Sequence, residues 1–280
     1  MKKFGLIGHP IAHSLSPALF EAAFGGKYTY DLIEGEDFEE SYEKFIEEYD
    51  AINVTAPFKE QAFKKADLKS KECKAIGAAN ILSRGKPDGK VCADNSDIMG
   101  VTGALKPYCH INRSDRKALI VGCGGAAMAA AYAVWEEMGY ETVVMNRNVA
   151  KARDFVEHMR QVTFTGKLIS AAGLEHFSEH FRQADVVIYT LPIAIPALNE
   201  LSNADIRGGR FWEKMKSKVI LEANYRNPAF TPSMIKKIRR INPEITFISG
   251  KEWLLHQAIG AYRRFVPDTP DIEAMKAVIQ

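Results

Sequence analysis

Cysteine is scarce in this 280-residue chain, and its four cysteines are far apart. None of Cys73, Cys92, Cys109 and Cys123 forms a C-x-x-C pair, the spacing that zinc sites and redox motifs use. Small disulfide-stabilised folds also need a denser set of cysteines. The pattern argues against a zinc site and against a disulfide framework, and it favours a reducing, cytoplasmic location.

An excess of charge of one sign is also missing, since 37 Lys and Arg residues stand against 35 Asp and Glu residues, for a net charge of +2. Binding to nucleic acid or to an anionic membrane surface is favoured by a clear positive excess. We therefore expect neither partner. With 46% hydrophobic and 26% charged residues, the composition is that of a globular protein of one large or two ordinary domains.

Hydrophobic runs of the leader or membrane type are lacking too. The first apolar run, in MKKFGLIGHPIAHS, is broken by Gly8, His9 and Pro10, so we predict no signal peptide. The uncharged stretch Ala118–Trp135 just reaches the length of a membrane span. Glycines in its middle and alanines in its second half favour a strand, a turn and a helix instead.

That stretch has the pattern of a dinucleotide site. The apolar run Ala118–Val121 ends in GCGG, a helical stretch of small residues follows, and Val143–Met145 is the next apolar run. Gly122, Gly124 and Ala127 match G-x-G-x-x-A between a strand and a helix. In such a turn, backbone N–H groups at the helix N-terminus hold a pyrophosphate.

The end of the second strand distinguishes two dinucleotides. An NAD site usually has an Asp or Glu there, whereas this chain has Asn146 and Arg147, with Lys151 one helical turn further on. An acid would repel a 2′-phosphate and two cations would pair with it, so these residues predict NADP. The alternative is that both cations are solvated residues at a helix start and that the glycines only make a turn.

Strand and helix patterns alternate along the chain, which predicts α/β layers. The predicted strands are 3–8, 28–33, 51–54, 79–83, 90–93, 118–121, 142–145, 167–170, 186–190 and 219–222. The predicted helices are 17–24, 37–49, 57–63, 96–105, 231–241 and 250–265. We expect a hairpin at 79–93, a second unit that starts near Arg116, and a return to the first unit through the helix 231–241.

Polar side chains follow the predicted strands of the first hundred residues. Hydroxyls, amides, one amine and one carboxylate suit a small polyhydroxylated substrate, because each substrate hydroxyl needs paired donors and acceptors. The set is Ser14, Ser16, Thr55, Lys59, Asn80 and Asp97. Singly, each has a plainer interpretation. Ser16 and Asp97 suit helix caps. Asn80 suits a turn, and Lys59 suits an exposed surface.

Together these motifs resemble the shikimate dehydrogenase family. GHPIAHSLSP, NVTAPFK, AIGAANIL, ADNSDIMG, VGCGGAA, NRNVAKA and GKEWLLHQAIGAYRRF follow the family's order from Gly8 to Phe265. The resemblance implies an α/β fold of two domains with a cleft between them. The substrate domain would comprise 1–100 and 238–280, where C-terminal helices complete it, and a Rossmann NADP-binding domain would comprise 101–237.

The same resemblance implies a reversible, NADPH-dependent reduction of 3-dehydroshikimate to shikimate in aromatic amino-acid biosynthesis. Lys59 and Asp97 would be the catalytic pair, in which Lys59 supplies positive charge and a proton to the alkoxide and Asp97 orients Lys59. The implied substrate-binding residues are Ser14, Ser16, Thr55, Asn80, Tyr225 and Gln257. The implied cofactor-binding residues are Gly122, Gly124, Gly125, Ala126, Asn146, Arg147, Lys151 and Gly250.

Several positions depart from the family pattern without removing a catalytic group. They are Ile81, Met128, the run Tyr189–Pro192, Ala223-Asn224 and Trp253. Three other functions remain: a quinate or shikimate dehydrogenase of broader specificity, a non-catalytic NADP-binding paralogue, and a related two-domain folate dehydrogenase. The cation pair argues against NAD, and the retained Lys59 and Asp97 argue against a non-catalytic protein. We expect no metal, and either a monomer or a homodimer.

Overall fold

The computed structural model describes residues 2–85, 88–109, 116–163, 166–208 and 215–280. The chain forms two compact units: unit 1 comprises Met1–Gly100 and Leu254–Gln280, and unit 2 comprises Val101–Trp253. The chain therefore returns to unit 1 at Leu254, and the predicted return at Ile238 is wrong. Among the residues described, no helix combines the length and the apolar character that a membrane span requires.

The strands and helices alternate as predicted, with additional short elements. The strands are β1 Lys3–Gly8, β2 Thr29–Glu34, β3 Ala51–Val54, β4 Leu68–Lys69, β5 Ile81–Arg84, β6 Val91–Asp94, β7 Lys117–Val121, β8 Glu141–Asn146, β9 Ile169–Gly173, β10 Val186–Tyr189, β11 Lys218–Glu222 and β12 Ile245–Ser249. The helices are α1 Ser16–Phe24, α2 Phe38–Glu48, α3 Lys59–Lys65, α4 Lys71–Ile76, α5 Asp97–Leu105, α6 Gly125–Ala131, α7 Val149–Val162, α8 Phe177–Gln183, α9 Pro196–Asn199, α10 Asn203–Arg207, α11 Pro232–Ile241, α12 Gly250–Phe265 and α13 Ile272–Ile279. A π-helical segment, Tyr132–Glu137, continues α6, and a 3₁₀ turn, Leu174–His176, precedes α8.

Unit 1 is built on a six-stranded sheet in the order β2-β1-β3-β5-β6-β4. β5 is antiparallel to β3 and β6, and the other pairs are parallel. The pair β5 and β6 is the predicted hairpin. Because only β5 runs in the opposite direction, the C-terminal ends of β1, β3 and β6 and the N-terminal end of β5 meet at one edge of the sheet.

Helices cover both faces of this sheet, since alternate side chains of each strand point to opposite faces. On one face, Phe4 of β1 packs with Phe20 of α1 and Phe265 of α12. On the other face, Ile7 of β1 packs in a cluster with Phe45 of α2. The sheet is therefore the middle of three layers, and its edges are left for function.

Unit 2 contains a parallel six-stranded sheet in the order β12-β11-β10-β7-β8-β9. This is the doubly wound order of dinucleotide-binding proteins, in which the strand order reverses beside the first strand. β12 pairs with β11, and Ile238 of α11 packs in the core of the same unit. These contacts explain why the predicted return through α11 is wrong.

Candidate active site

Unit 1 brings the predicted substrate residues to one edge of its sheet. Ser14 follows β1, Thr55 follows β3, and Asp97 lies three residues after β6. Asn80 immediately precedes β5, whose N-terminal end lies at the same edge. Residues separated by up to 83 positions in the sequence therefore share one location because the sheet topology requires it.

Lys59 and Asp97 form an ion pair at this edge. The Lys59 Nζ atom donates to Asp97 Oδ2 over 2.6 Å, and the side chains are 26% and 6% exposed. Lys59 is the first residue of α3, which begins two residues later than predicted. Asp97 is the first residue of α5, and its N–H donates to Asn95 Oδ1 over 2.9 Å. A lysine with a buried carboxylate partner and an exposed fraction can deliver a proton to a bound oxygen.

Asn80 is fully buried and lies at the bend immediately before β5. Its Oδ1 atom accepts the Ser96 N–H over 2.8 Å, and its Nδ2 donates to the Ser96 hydroxyl over 3.3 Å. The Asn80 side chain therefore fixes the residue that precedes Asp97. Asn95 adds a second tie, because its Nδ2 donates to the Ala78 carbonyl over 2.9 Å.

The serine pair is also held in place, although Ser16 is not a helix N-cap. Ser16 is the first residue of α1, and Leu15 precedes it without a side-chain cap. The Ser14 hydroxyl donates to Ser16 Oγ over 3.1 Å and accepts the Ser16 N–H over 3.2 Å. The two hydroxyls therefore lie side by side and present adjacent donors and acceptors.

Thr55 and Gln257 complete the predicted substrate residues of unit 1. The Thr55 N–H donates to the Ile7 carbonyl over 2.9 Å, which continues the pairing of β3 with β1 by one residue. Gln257 is half-buried on α12, whose residues Leu255 and Ala258 pack into the unit 1 core. The helix packing thus sets which way this part of α12 faces.

In unit 2, the glycine turn has the geometry that close approach of a ligand requires. Gly122 follows β7 with φ +123°, and a Cβ atom there would lie 2.3 Å from Thr190 Oγ1. Gly124 and Gly125 differ, because a Cβ atom on either would meet nothing within 4 Å. The turn therefore needs glycine for its shape at the first position and leaves open space at the next two, where α6 begins. Ala126 is the second residue of α6.

The cations predicted to bind a 2′-phosphate are exposed at the start of α7. Asn146 ends β8, and its side chain accepts the Asn148 N–H over 3.0 Å. Asn148 is the N-cap of α7 and accepts the Lys151 N–H over 3.3 Å. Arg147 and Lys151 are both exposed, and neither has an ion pair with any residue that the structure describes. They are free to pair with an anion.

Tyr225 and Gly250 lie in unit 2, and both line one cavity of about 300 Å³. A Cβ atom on Gly250 would lie 2.2 Å from the Ala223 carbonyl oxygen, so glycine is required there for packing. Burial raises the pKa of the Tyr225 phenol. The loop that contains Tyr225 is held at its two ends by Glu222, whose carboxylate accepts the N–H groups of Ala229 and Phe230. Burial raises the pKa of Glu222, although these two hydrogen bonds oppose the change.

The sequence did not show the partners of Asp94 in unit 1 or of Tyr189 in unit 2. Asp94 forms an ion pair with Arg264 of α12 and accepts hydrogen bonds from Ser70 Oγ over 2.8 Å and from the Asn95 N–H over 2.7 Å. Its position at the end of a strand in ADNSD was the one available signal. Tyr189 is fully buried, and its hydroxyl donates to the Ile193 carbonyl over 2.7 Å, so this departure from the family pattern ties a loop to the core.

Two family models match the chain in the order of its units. The model for the "shikimate dehydrogenase substrate binding domain" matches residues 6–82, and the "shikimate / quinate 5-dehydrogenase" model matches residues 108–205. A relative named shikimate dehydrogenase (NADP(+)) from Syntrophobacter fumaroxidans is 30% identical over 99% of this chain and 92% of its own. A relative of the same name from Staphylococcus epidermidis is 27% identical over 99% of this chain and 97% of its own.

Comparison with solved structures gives the same family. The shikimate dehydrogenase of Mycobacterium tuberculosis is 29% identical, with a TM-score of 0.79, and the match covers 100% of this chain and 98% of that one. The shikimate 5-dehydrogenase of Thermus thermophilus, solved in complex with NADP(H) and shikimate, is 25% identical with a TM-score of 0.79 and the same coverage. The chain belongs to the shikimate dehydrogenase family.

Proposed function

We propose that this protein is an NADP-dependent shikimate dehydrogenase, which reversibly reduces 3-dehydroshikimate to shikimate in aromatic amino-acid biosynthesis. The observation that carries the proposal is the ion pair between Lys59 and the buried Asp97, 2.6 Å apart, at the sheet edge that also bears the predicted hydroxyl and amide ligands. Relatives and solved structures with these names and ligands support it.

Unit 1 supplies the groups that bind the substrate and move its proton. Reduction of a ring ketone leaves an alkoxide, which needs a positive charge and a proton as it forms. Lys59 provides both, and Asp97 orients its ammonium group. We propose that Ser14, Ser16, Thr55, Asn80 and Gln257 of unit 1 bind the substrate carboxylate and hydroxyls. Tyr225 remains a predicted substrate-binding residue.

Unit 2 has residues that fit NADP. The open space beside Gly124 and Gly125 accommodates a pyrophosphate at the start of α6. Arg147 and Lys151 are exposed cations placed to pair with a 2′-phosphate. When bound, NADPH supplies the hydride for reduction of the ketone. The remaining proposed contacts are made by Gly122, Ala126, Asn146 and Gly250.

The direct test is the absorbance of NADPH when the protein is mixed with shikimate and NADP. We expect NADPH to form and its absorbance to rise. An unchanged absorbance would contradict the proposal. Parallel reactions with NAD and with quinate test the alternative of broader specificity. Equal kcat/KM for shikimate and quinate would favour that alternative.

Substitution of the proposed acid tests the mechanism separately. Lys59→Ala should lower kcat by about 10²- to 10⁴-fold, the usual contribution of general acid–base catalysis, with a much smaller effect on the KM for shikimate. Lys64→Ala changes an exposed lysine of the same helix and should leave both constants unchanged. Turnover of Lys59→Ala within a few-fold of the wild type would show that Lys59 is not the acid.

Two expectations remain predictions within this proposal. Cysteine usage favours a cytoplasmic protein, and all four cysteines are free thiols. A monomer or a homodimer is expected, and size-exclusion chromatography with light scattering measures which of them forms.

A further inference from the structure

The main chains of Lys59 and Asp97 are joined by hydrogen bonds, in addition to the ion pair between their side chains. The Ala79 N–H donates to the Lys59 carbonyl over 2.9 Å. Asn95 Nδ2 donates to the Ala78 carbonyl over 2.9 Å, and Asn95 Oδ1 accepts the Asp97 N–H over 2.9 Å. The ion pair, 2.6 Å long, closes a circuit that begins and ends at Lys59.

One peptide group and one side-chain amide span the whole distance between the two main chains. The Ala78 carbonyl and the Ala79 N–H belong to the same peptide group, which is planar and trans, so its two polar groups point in opposite directions. This peptide group is therefore a rigid spacer, with Lys59 bonded on one side and Asn95 on the other. The Asn95 amide completes the connection to Asp97.

The chemistry of both ends of this connection requires an amide at position 95. The Ala78 carbonyl can only accept a hydrogen bond and the Asp97 N–H can only donate one, so Asn95 must offer a donor to the first and an acceptor to the second. An ionised aspartate has no donor, and a leucine has neither group. Asn95 is 2% exposed, so solvent does not supply a replacement partner.

We propose that Asn95 is a positioning residue that holds the main chains of Lys59 and Asp97 at the separation that their ion pair requires. The inference rests on the proposed function, because it concerns the pair that transfers the proton in that reaction. Asn95 contacts no reacting atom in this account and acts only through main-chain groups. The aspartate side chain is short, so its main chain largely sets where the carboxylate lies, and a shift of about 1 Å in a catalytic group can lower a rate about 100-fold.

The test compares Asn95→Ser with the wild type in shikimate oxidation and in shikimate binding by calorimetry. A serine hydroxyl can still accept the N–H two residues further on, but it lacks the amide nitrogen that bonds Ala78. The Ala78 carbonyl keeps a partner, because the Cys73 thiol donates to it over 3.4 Å, so we expect the variant to fold. We expect kcat to fall about 10- to 100-fold. The Kd for shikimate should change less than about threefold, since the proposed substrate ligands are untouched. Asn95→Ala, which removes both hydrogen bonds, should lower kcat at least as much.

Asn242→Ser is the matched control, because Asn242 makes the same kinds of hydrogen bond in unit 2. Asn242 is fully buried, and its Oδ1 accepts the N–H two residues further on, that of Glu244, over 3.1 Å. Its Nδ2 donates to the main-chain carbonyls of Ile206, Arg207 and Lys216 over 3.0 to 3.2 Å. The control should lower the melting temperature, as Asn95→Ser does, and leave kcat within about twofold of the wild type when both are assayed well below their melting temperatures.

A double-mutant cycle with Lys59→Ala separates positioning of the ion pair from a general structural effect. If Asn95 acts through the pair, Asn95→Ser lowers kcat in the wild type and adds little in the Lys59→Ala background. Equal fold-losses in both backgrounds, a matching loss of kcat in Asn242→Ser, or a kcat of Asn95→Ser within about twofold of the wild type would overturn the inference. A wild type that does not oxidise shikimate would overturn the proposed function and this inference together, whereas an active wild type with an equally active Asn95→Ser variant would overturn the inference alone.

Discussion

At the scale of single residues, we propose that Arg147 and Lys151 determine the choice between NADP and NAD. Both are exposed at the start of α7 and have no described ion pair, so an anion is their natural partner. Replacing either with alanine should raise the KM for NADP about tenfold or more, because a charge-assisted hydrogen bond contributes roughly 1.5–3 kcal/mol. The KM for NAD, which lacks the 2′-phosphate, should not rise.

The matched control is Arg153→Ala, which removes an exposed cation from the same helix. Coenzyme titrations of the three variants measure the ratio of kcat/KM for NADP over NAD. If Arg153→Ala lowers this ratio as much as Arg147→Ala does, the effect is one of general surface charge, and the assignment of Arg147 is wrong.

Residue types at the proposed site could be predicted from the sequence, but their partners could not. The strand-end positions of Ser14, Thr55 and Asp97 predicted polar groups in one place, and the sheet topology brings them together. In contrast, Ser16 is not an N-cap and Asn80 is buried against Ser96, sixteen positions away. Contacts of this kind depend on the order of the strands in the sheet, which the local sequence pattern does not contain.

At the scale of elements, the turn between β7 and α6 contains glycines with two different roles: Gly122 is needed for the shape of the turn, and Gly124 leaves open space. Gly122→Ala should destabilise unit 2 and lower its melting temperature by several degrees, since a side chain is strained at φ +123° and Cβ would lie 2.3 Å from Thr190 Oγ1. Gly124 has φ −100°, which any residue can adopt, and a Cβ atom there would have open space around it. The Gly124→Ala substitution should therefore change the melting temperature little. It should instead weaken NADP binding, because the methyl group would occupy the space that we propose for the pyrophosphate.

Calorimetric melting and NADP titration of both variants check this contrast. A melting temperature that falls equally in the two variants, or NADP affinity that is unchanged in Gly124→Ala, would contradict the assignment of these roles.

Most elements could be predicted because their patterns are long or well bounded. β1 and β3 lie where expected, and α11 begins after the predicted helix-start signal at Thr231. β4 has two residues and exists only through its pairing with β6, so no local pattern marks it. β12 was missed, and with it the sheet pairing that keeps α11 in unit 2.

At the scale of the whole molecule, a buried lysine should make stability depend on pH. Lys218 opens β11, is 1% exposed, and donates to the carbonyl oxygens of Phe181 and Ala184 at the end of α8. Burial, assisted by repulsion from Lys216, lowers the pKa of Lys218 to about 7, although Asp185 opposes the change. An unfolded lysine keeps a pKa of about 10.4. Between these values the unfolded chain binds one more proton than the folded chain, so stability rises with pH.

Urea unfolding of the wild type and Lys218→Met at pH 7, 8.5 and 10 tests this expectation. Tryptophan fluorescence reports on unit 2, because Trp135 and Trp253 are buried there and residues 1–100 and 254–280 contain no tryptophan. The free energy of unfolding of the wild type should increase relative to the variant by on the order of 1–4 kcal/mol across this range. The loss of two carbonyl hydrogen bonds in the variant adds only a constant offset to the free energy of unfolding, since main-chain carbonyls do not titrate.

Lys236→Met, at an exposed position of α11, should show no such trend. A wild-type advantage that stays constant or shrinks as the pH rises would mean that Lys218 remains charged in the folded protein.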